Sequence, residues 1–227
     1  MDIKNSKHIL EATGLLIVAL LSAATIASGD EIQRNKTLLS AASPFEDLTE
    51  YSLAGNKQGM DSAIKEAEKE IAHVMVFLSP ESRERLEALF SNIVLARKKE
   101  EFAAAALNSV EAYRVIVGAL DAAALKTPLE TPLLDYTGFK IQALAKQAPP
   151  NWVAIRQTVS EAQRHWSAIE ARVADTGLRD VMDTAIEGLM SAAKSKNLEM
   201  VRFASQVELD LVDLLEGYFE THAKLSR

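Results

Sequence analysis

SPFEDLTEYSL (Ser43–Leu53) and TPLLDYTGFKI (Thr131–Ile141) are near-copies of one phrase. At a constant shift of 88 residues they align Pro44 with Pro132, Asp47 with Asp135, Thr49 with Thr137, Tyr51 with Phe139 and Leu53 with Ile141. Each reads as the start of a helix. A hydroxyl residue can cap, proline sits where no amide partner is needed, and an acid follows in the first turn. The expectation is two related helical units, one from Ser43 to about 125 and one from Thr131 to about 223.

The pattern downstream fits. In the first unit a short helix ends near Gly55-Asn56, and a second covers about Lys57–Leu78. Ser79-Pro80 opens a third to about Arg97, and a fourth covers about Glu100–Ala124. LKTPLETP then breaks the chain. In the second unit a short helix spans Pro132–Lys146, QAPPN breaks it, and a long one covers Trp152–Val173. Apolar residues at 152, 155, 159, 162, 166, 169 and 173 give that helix a heptad-like seam. Thr176 is expected to cap a further helix to about Lys194, and Leu198–His222 form the last. Weaker echoes place Ala63-Ile64-Lys65 against Ala154-Ile155-Arg156, and Glu111 against Glu208. No alternation of period two marks a strand. The fold class read here is all-α: a helical bundle of two repeated units, each short, long, long, long, packed as one domain.

The N-terminus carries the clearest functional signal. Lys4, Lys7 and His8 precede TGLLIVALLSAATIASG, which has no charge and ends in small residues. Ala27-Ser28-Gly29 is the expected cleavage site, with Ser22-Ala23-Ala24 competing. The strongly apolar run of about 15 residues is short of the ~20 that span a bilayer. Residues 1–29 are therefore read as a signal peptide, an uncleaved anchor being the alternative, and the polar residues 30–42 as a flexible lead-in. The expected location is periplasmic or secreted.

Composition narrows the function. A net charge of −7 with no basic cluster removes the electrostatic footprint of nucleic-acid binding. The absence of cysteine removes disulfides, thiolate catalysis and Cys-based zinc sites. No phosphate loop, nucleophile elbow or dinucleotide fingerprint is present.

Three sets of polar residues remain. Glu208 falls within the apolar arc of the last helix, and Glu111 sits among apolar neighbours with Arg114 three residues on. A buried carboxylate needs a partner or takes up a proton. A Glu111–Arg114 pair, with Glu208 nearby if the units pack symmetrically, is the leading candidate for a polar or ligand site. Asp135, Tyr136 and Lys140 form a weaker set. Glu70, His73 and His165, with Glu161, resemble in type the carboxylate–histidine inventory of dimetal bundles. Helix geometry turns them off the apolar stripes, however, so both histidines are read as peripheral. Haem held between Met and His is the other carrier reading. Met60, Met75, Met182, Met190 and Met200 are better explained as core filler. No cofactor is expected. The functional expectation is a binding or accessory role towards a protein or small ligand in the cell envelope, without catalysis. A metal or haem carrier and a membrane-tethered structural protein are the alternatives.

Overall fold

The computed structural model describes the backbone of residues 5–222 and the side chains of residues 29–222. The described chain is all-helical, with no strand. Its α-helices are α1 (Asn5–Ala54), α2 (Lys57–Val74), α3 (Pro80–Lys98), α4 (Phe102–Val117), α5 (Glu130–Ala145), α6 (Trp152–Ile169), α7 (Thr176–Ser195) and α8 (Leu198–His222). Residues 1–28 of the expected signal segment lie outside the described side chains. Among the described residues no helix is long and apolar enough to cross a membrane.

The helices form two four-membered groups with the same neighbour pattern. α1 packs on α2 and α4, and α3 on α4; α5 packs on α6 and α8, and α7 on α8. Local features repeat as well. Asn56 and Asn151, 95 residues apart, accept from the backbone N–H of Gly59 and Ala154 to cap α2 and α6. Both helices run 18 residues and end in a three-residue 3-10 turn. Ser79 and Asp175 cap α3 and α7 in the same manner. Glu100 and Lys196, 96 residues apart, hold the left-handed conformation at φ 58° and 54° where the third helix of each group turns into the fourth. Few non-glycine residues adopt it.

Burial follows the same register. Met60, Ala63, Ala67, Ile71 and Val74 on α2 match Ile155, Thr158, Ala162, Trp166 and Ile169 on α6, residue for residue at the spacing of the Asn caps. The sequence comparison of Ala63 with Ala154 was therefore one helical turn out of register. On α4 and α8, Ser109, Ala112, Tyr113 and Ile116 match Ser205, Glu208, Leu209 and Val212. Glu208 thus occupies the place of Ala112, not that of Glu111.

Four expectations at helix ends are corrected. Ser43-Pro44 does not start a helix, and 30–42 is no lead-in, because α1 runs through both. Asn35 holds this stretch to the loop after α4. It donates to the Asp121 carbonyl at 2.8 Å and accepts from the Asp121 N–H at 2.9 Å, while Leu38, Ala41 and Phe45 fill the core beside α4. That packing outweighs the one hydrogen bond Pro44 forfeits. Thr131 lies inside the first turn of α5, fully buried, and its hydroxyl caps nothing. Asp175, not Thr176, caps α7, since its carboxylate reaches the Leu178 N–H at 3.0 Å. α4 stops at Gly118 rather than continuing to Ala124.

α5 is the hinge of the architecture. It touches α1, α4, α6 and α8, and it feeds both cores. Leu133 and Tyr136 join the core of the first group; Leu134, Ile141 and Leu144 join that of the second. A helix covered on most sides is apolar on most sides. That is why its sequence shows so little polar face.

Candidate functional site

Two polar regions lie on opposite flanks of α5. The first is a mixed-charge seam. Glu111 on α4 is its centre. Arg85 on α3 donates to its Oε2 at 2.8 Å, and the Lys140 Nζ on α5 lies 2.7 Å from its Oε1. The Tyr136 hydroxyl donates to the same oxygen at 3.1 Å and accepts from Lys140 at 2.6 Å. Arg114 does not pair with Glu111. It stacks over the Tyr136 ring, 5.3 Å from the centroid, and approaches Glu161 on α6 at 4.0 Å. Helical spacing brings Arg114 to the right flank, but Lys140 and Arg85 reach the carboxylate first. Three helices thus supply cations to two carboxylates, and the seam joins the two groups.

His165 belongs to this seam and is not peripheral. Its side chain is only 17 % exposed, with Nε2 3.7 Å from Glu161. Burial first, and then Arg114, hold its pKa below the usual histidine value, against the pull of Glu161. Burial lowers Lys140, yet its hydrogen bonds to Glu111 and Tyr136 outweigh this and its pKa is raised. Tyr136 is raised by burial and then by Glu111. At neutral pH these groups are an ammonium, a phenol and a neutral imidazole, and none is poised as a nucleophile. Glu70 and His73 form a separate pair on α2 at 3.6 Å, with His73 exposed. Among the described residues no group of three or more His, Asp or Glu is placed to hold a metal ion.

The second region is an acidic cleft of about 400 Å³ between α1 and α8, floored by α5. Glu50, Asp210 and Asp213 line it, with Leu53, Phe139 and Leu209 supplying apolar surface. Near the cleft, though not lining it, are Glu46 on α1, Asp135 on α5 and Glu216 on α8. Burial pushes Glu46 up to about 7; the Tyr113 hydroxyl opposes this and Glu216 adds to it. Asp135 is raised well above the usual carboxylate range by burial and then by Glu216, Glu46, Glu208 and Asp213, all of them acids. Among the described residues none of Glu46, Glu50, Asp135, Glu208, Asp213 or Glu216 has a salt-bridge partner.

Glu208 stands behind this cleft. It is 0 % exposed, and neither carboxylate oxygen has a hydrogen-bond partner. Burial alone raises it well above the usual carboxylate range, which favours the protonated form. Its place depends on Gly138, where a Cβ would come 2.2 Å from Glu208 Oε2.

Sequence reasoning named Glu111, Tyr136 and Lys140, which the structure brings together in the seam, and Asp135 and Glu208, which it buries near the cleft, but it joined Glu111 to the wrong partner and grouped it with Glu208 across α5. It missed Arg85, Glu46, Glu50, Asp213 and Glu216. One signal for the cleft was in view: the repeated phrase itself carries Glu46, Glu50 and Asp135. No protein-family model, curated protein or solved structure matches the chain.

Proposed function

We propose that this is an exported helical protein with a binding or accessory role in the cell envelope and no covalent chemistry of its own. The acidic cleft carries the reading. It brings together Glu50 of α1 with Asp210 and Asp213 of α8, none of them in an ion pair among the described residues, and Asp135 of α5 lies close enough to Asp213 to feel its charge. Such an arrangement costs stability, and perturbed acids gather where a site uses them. The mixed-charge seam, by contrast, satisfies its charges internally and reads as a tie between the groups. Its protonated lysine and tyrosine support the non-catalytic reading. The matched caps, helix lengths and left-handed residues support descent of both groups from one duplicated unit. A metal or haem carrier draws no support from the placement of the described histidines and acids.

Native mass spectrometry of protein from the envelope fraction tests the reading. The expected species lacks about the first 29 residues and carries an adduct that is lost in the Glu50→Gln/Asp213→Asn variant. A bare chain in both proteins, or an adduct indifferent to the variant, would overturn the cleft as the binding surface. A second reading, a membrane-tethered accessory protein, is favoured by the unbroken run of α1 from Asn5 into the bundle. An intact N-terminus in the same spectrum would decide for it.

A further inference from the structure

Two basic side chains address a single oxygen of Glu161 on α6. The Arg114 Nη2, from α4, lies 4.0 Å from Oε1. The His165 Nε2, one turn further along α6, lies 3.7 Å from the same atom. Both distances exceed the roughly 2.7–3.2 Å of a closed hydrogen bond, so neither group has taken the oxygen. His165 Nε2 is buried and has no hydrogen-bond partner at all. A buried polar atom left unbonded is costly, and this one already points at an acceptor.

The contact matters because of what it joins. Arg114 belongs to the first helical group and Glu161 to the second. Helices α4 and α6 both pack on α5 but are not close neighbours of each other. Among the described residues Arg114–Glu161 is the one ion pair between them. The rest of the seam runs through α5, where Arg114 stacks on Tyr136 while Lys140 and Tyr136 hold Glu111. Few charges face His165. Its own helix presents Glu161, α4 presents Arg114 and α5 presents Glu130. On α7 the acid beside this turn, Asp183, is engaged already, accepting from the Trp166 indole N–H at 2.5 Å.

A neutral imidazole leaves Glu161 to Arg114. An imidazolium gains a charge-assisted hydrogen bond to the carboxylate and repels the guanidinium beside it. At 17 % exposure the ring is still within reach of solvent protons. We propose that His165 gates the α4–α6 contact by pH: on protonation it captures Glu161, and Arg114 is released from the second group. The groups are then tied through α5 alone. This device is independent of what the cleft binds.

Solution NMR of the full chain, titrated from about pH 7.5 to about pH 4.5, tests this by following the His165 ring and the Arg114 guanidinium. His165 should titrate below the ordinary histidine value of 6.5. The Arg114 signals should shift with the same midpoint, and their Overhauser contacts to the Glu161 methylenes should fall by about half or more. Lys140 and Tyr136 should keep their contacts to Glu111. In His165→Gln the Arg114 signals should not follow pH over this range. In His165→Lys the Arg114–Glu161 contacts should be missing already at the neutral end. The proposal is overturned if Arg114 stays on Glu161 while His165 titrates, if the Arg114 shift persists in His165→Gln, or if His165 takes up no proton across the range. Should either variant fail to fold, the shared or separate midpoints in the native chain decide alone.

Discussion

Among the described glycines, Gly138 is the one where an added Cβ would meet its neighbour most closely, at Glu208. The glycine is needed because a methyl group there would meet Glu208 at 2.2 Å and the Leu209 side chain at 2.7 and 2.8 Å. Gly138→Ala should therefore cost about 1–3 kcal/mol in denaturant unfolding, the usual range for overpacking. Glu208→Ala in the same chain should recover part of it, because one of the two clashes disappears. Glu208→Met tests the other half of the relation. The native acid is buried with both oxygens unbonded, so an apolar side chain of similar length should stabilise by about 1–3 kcal/mol. A fall in melting temperature for Glu208→Met would mean that the carboxyl has a partner. Glu208 was legible because an acid stood among Val201, Ala204, Leu211 and Val212 on one helix face. Its neighbour across the interface was not, since nothing local in α5 says which face of Gly138 meets α8.

Among the elements, α3 and α6 form where their sequences place them. Ser79-Pro80 starts α3, and the seam of Trp152–Ile169 is buried as α6. Asn56 and Asn151 are equivalent in place, so Asn56→Ala and Asn151→Ala should each cost about 1 kcal/mol. Similar losses in thermal unfolding would check that the two groups respond as like units. The opening phrase misled for a physical reason. Thr131-Pro132 does fall in the first turn of α5, but Ser43-Pro44 lies inside α1, because a helix continues wherever tertiary burial outweighs one lost hydrogen bond. Asn35, with its two bonds to the Asp121 backbone, supplies the long-range anchor that no local pattern reveals. The partners of Glu111 were hidden in the same way: Arg85 stands 26 residues before it and Lys140 lies on another helix. Charge pairing across helices depends on how the helices are arranged, which periodicity does not encode.

The whole molecule should be most stable under mildly acidic conditions. The folded state raises Glu46 from 4.5 to about 7, chiefly by burial, so it binds this proton more tightly than the unfolded chain does. The associated stability is complete below about pH 4.5 and is lost as pH rises to about 7. Asp135 and Glu208, whose burial likewise raises them, act in the same sense. Melting temperature should fall between pH 5 and 7.5. Glu46→Gln should flatten that slope and add on the order of 2 kcal/mol at pH 7.5. An unchanged slope in this variant would place the proton elsewhere. The sharing of α5 between two cores also sets an order of events during synthesis. The first four helices can close on one another as soon as they leave the ribosome, but Leu133 and Tyr136 must still arrive to complete their core. The opposite face of α5, with Gly138 and its apolar neighbours, stays uncovered until α8, the last helix made, reaches it. A ribosome stalled before Leu198 would therefore carry a nascent chain whose first half is nearly complete and whose central helix is still bare on one side, the surface a chaperone would meet.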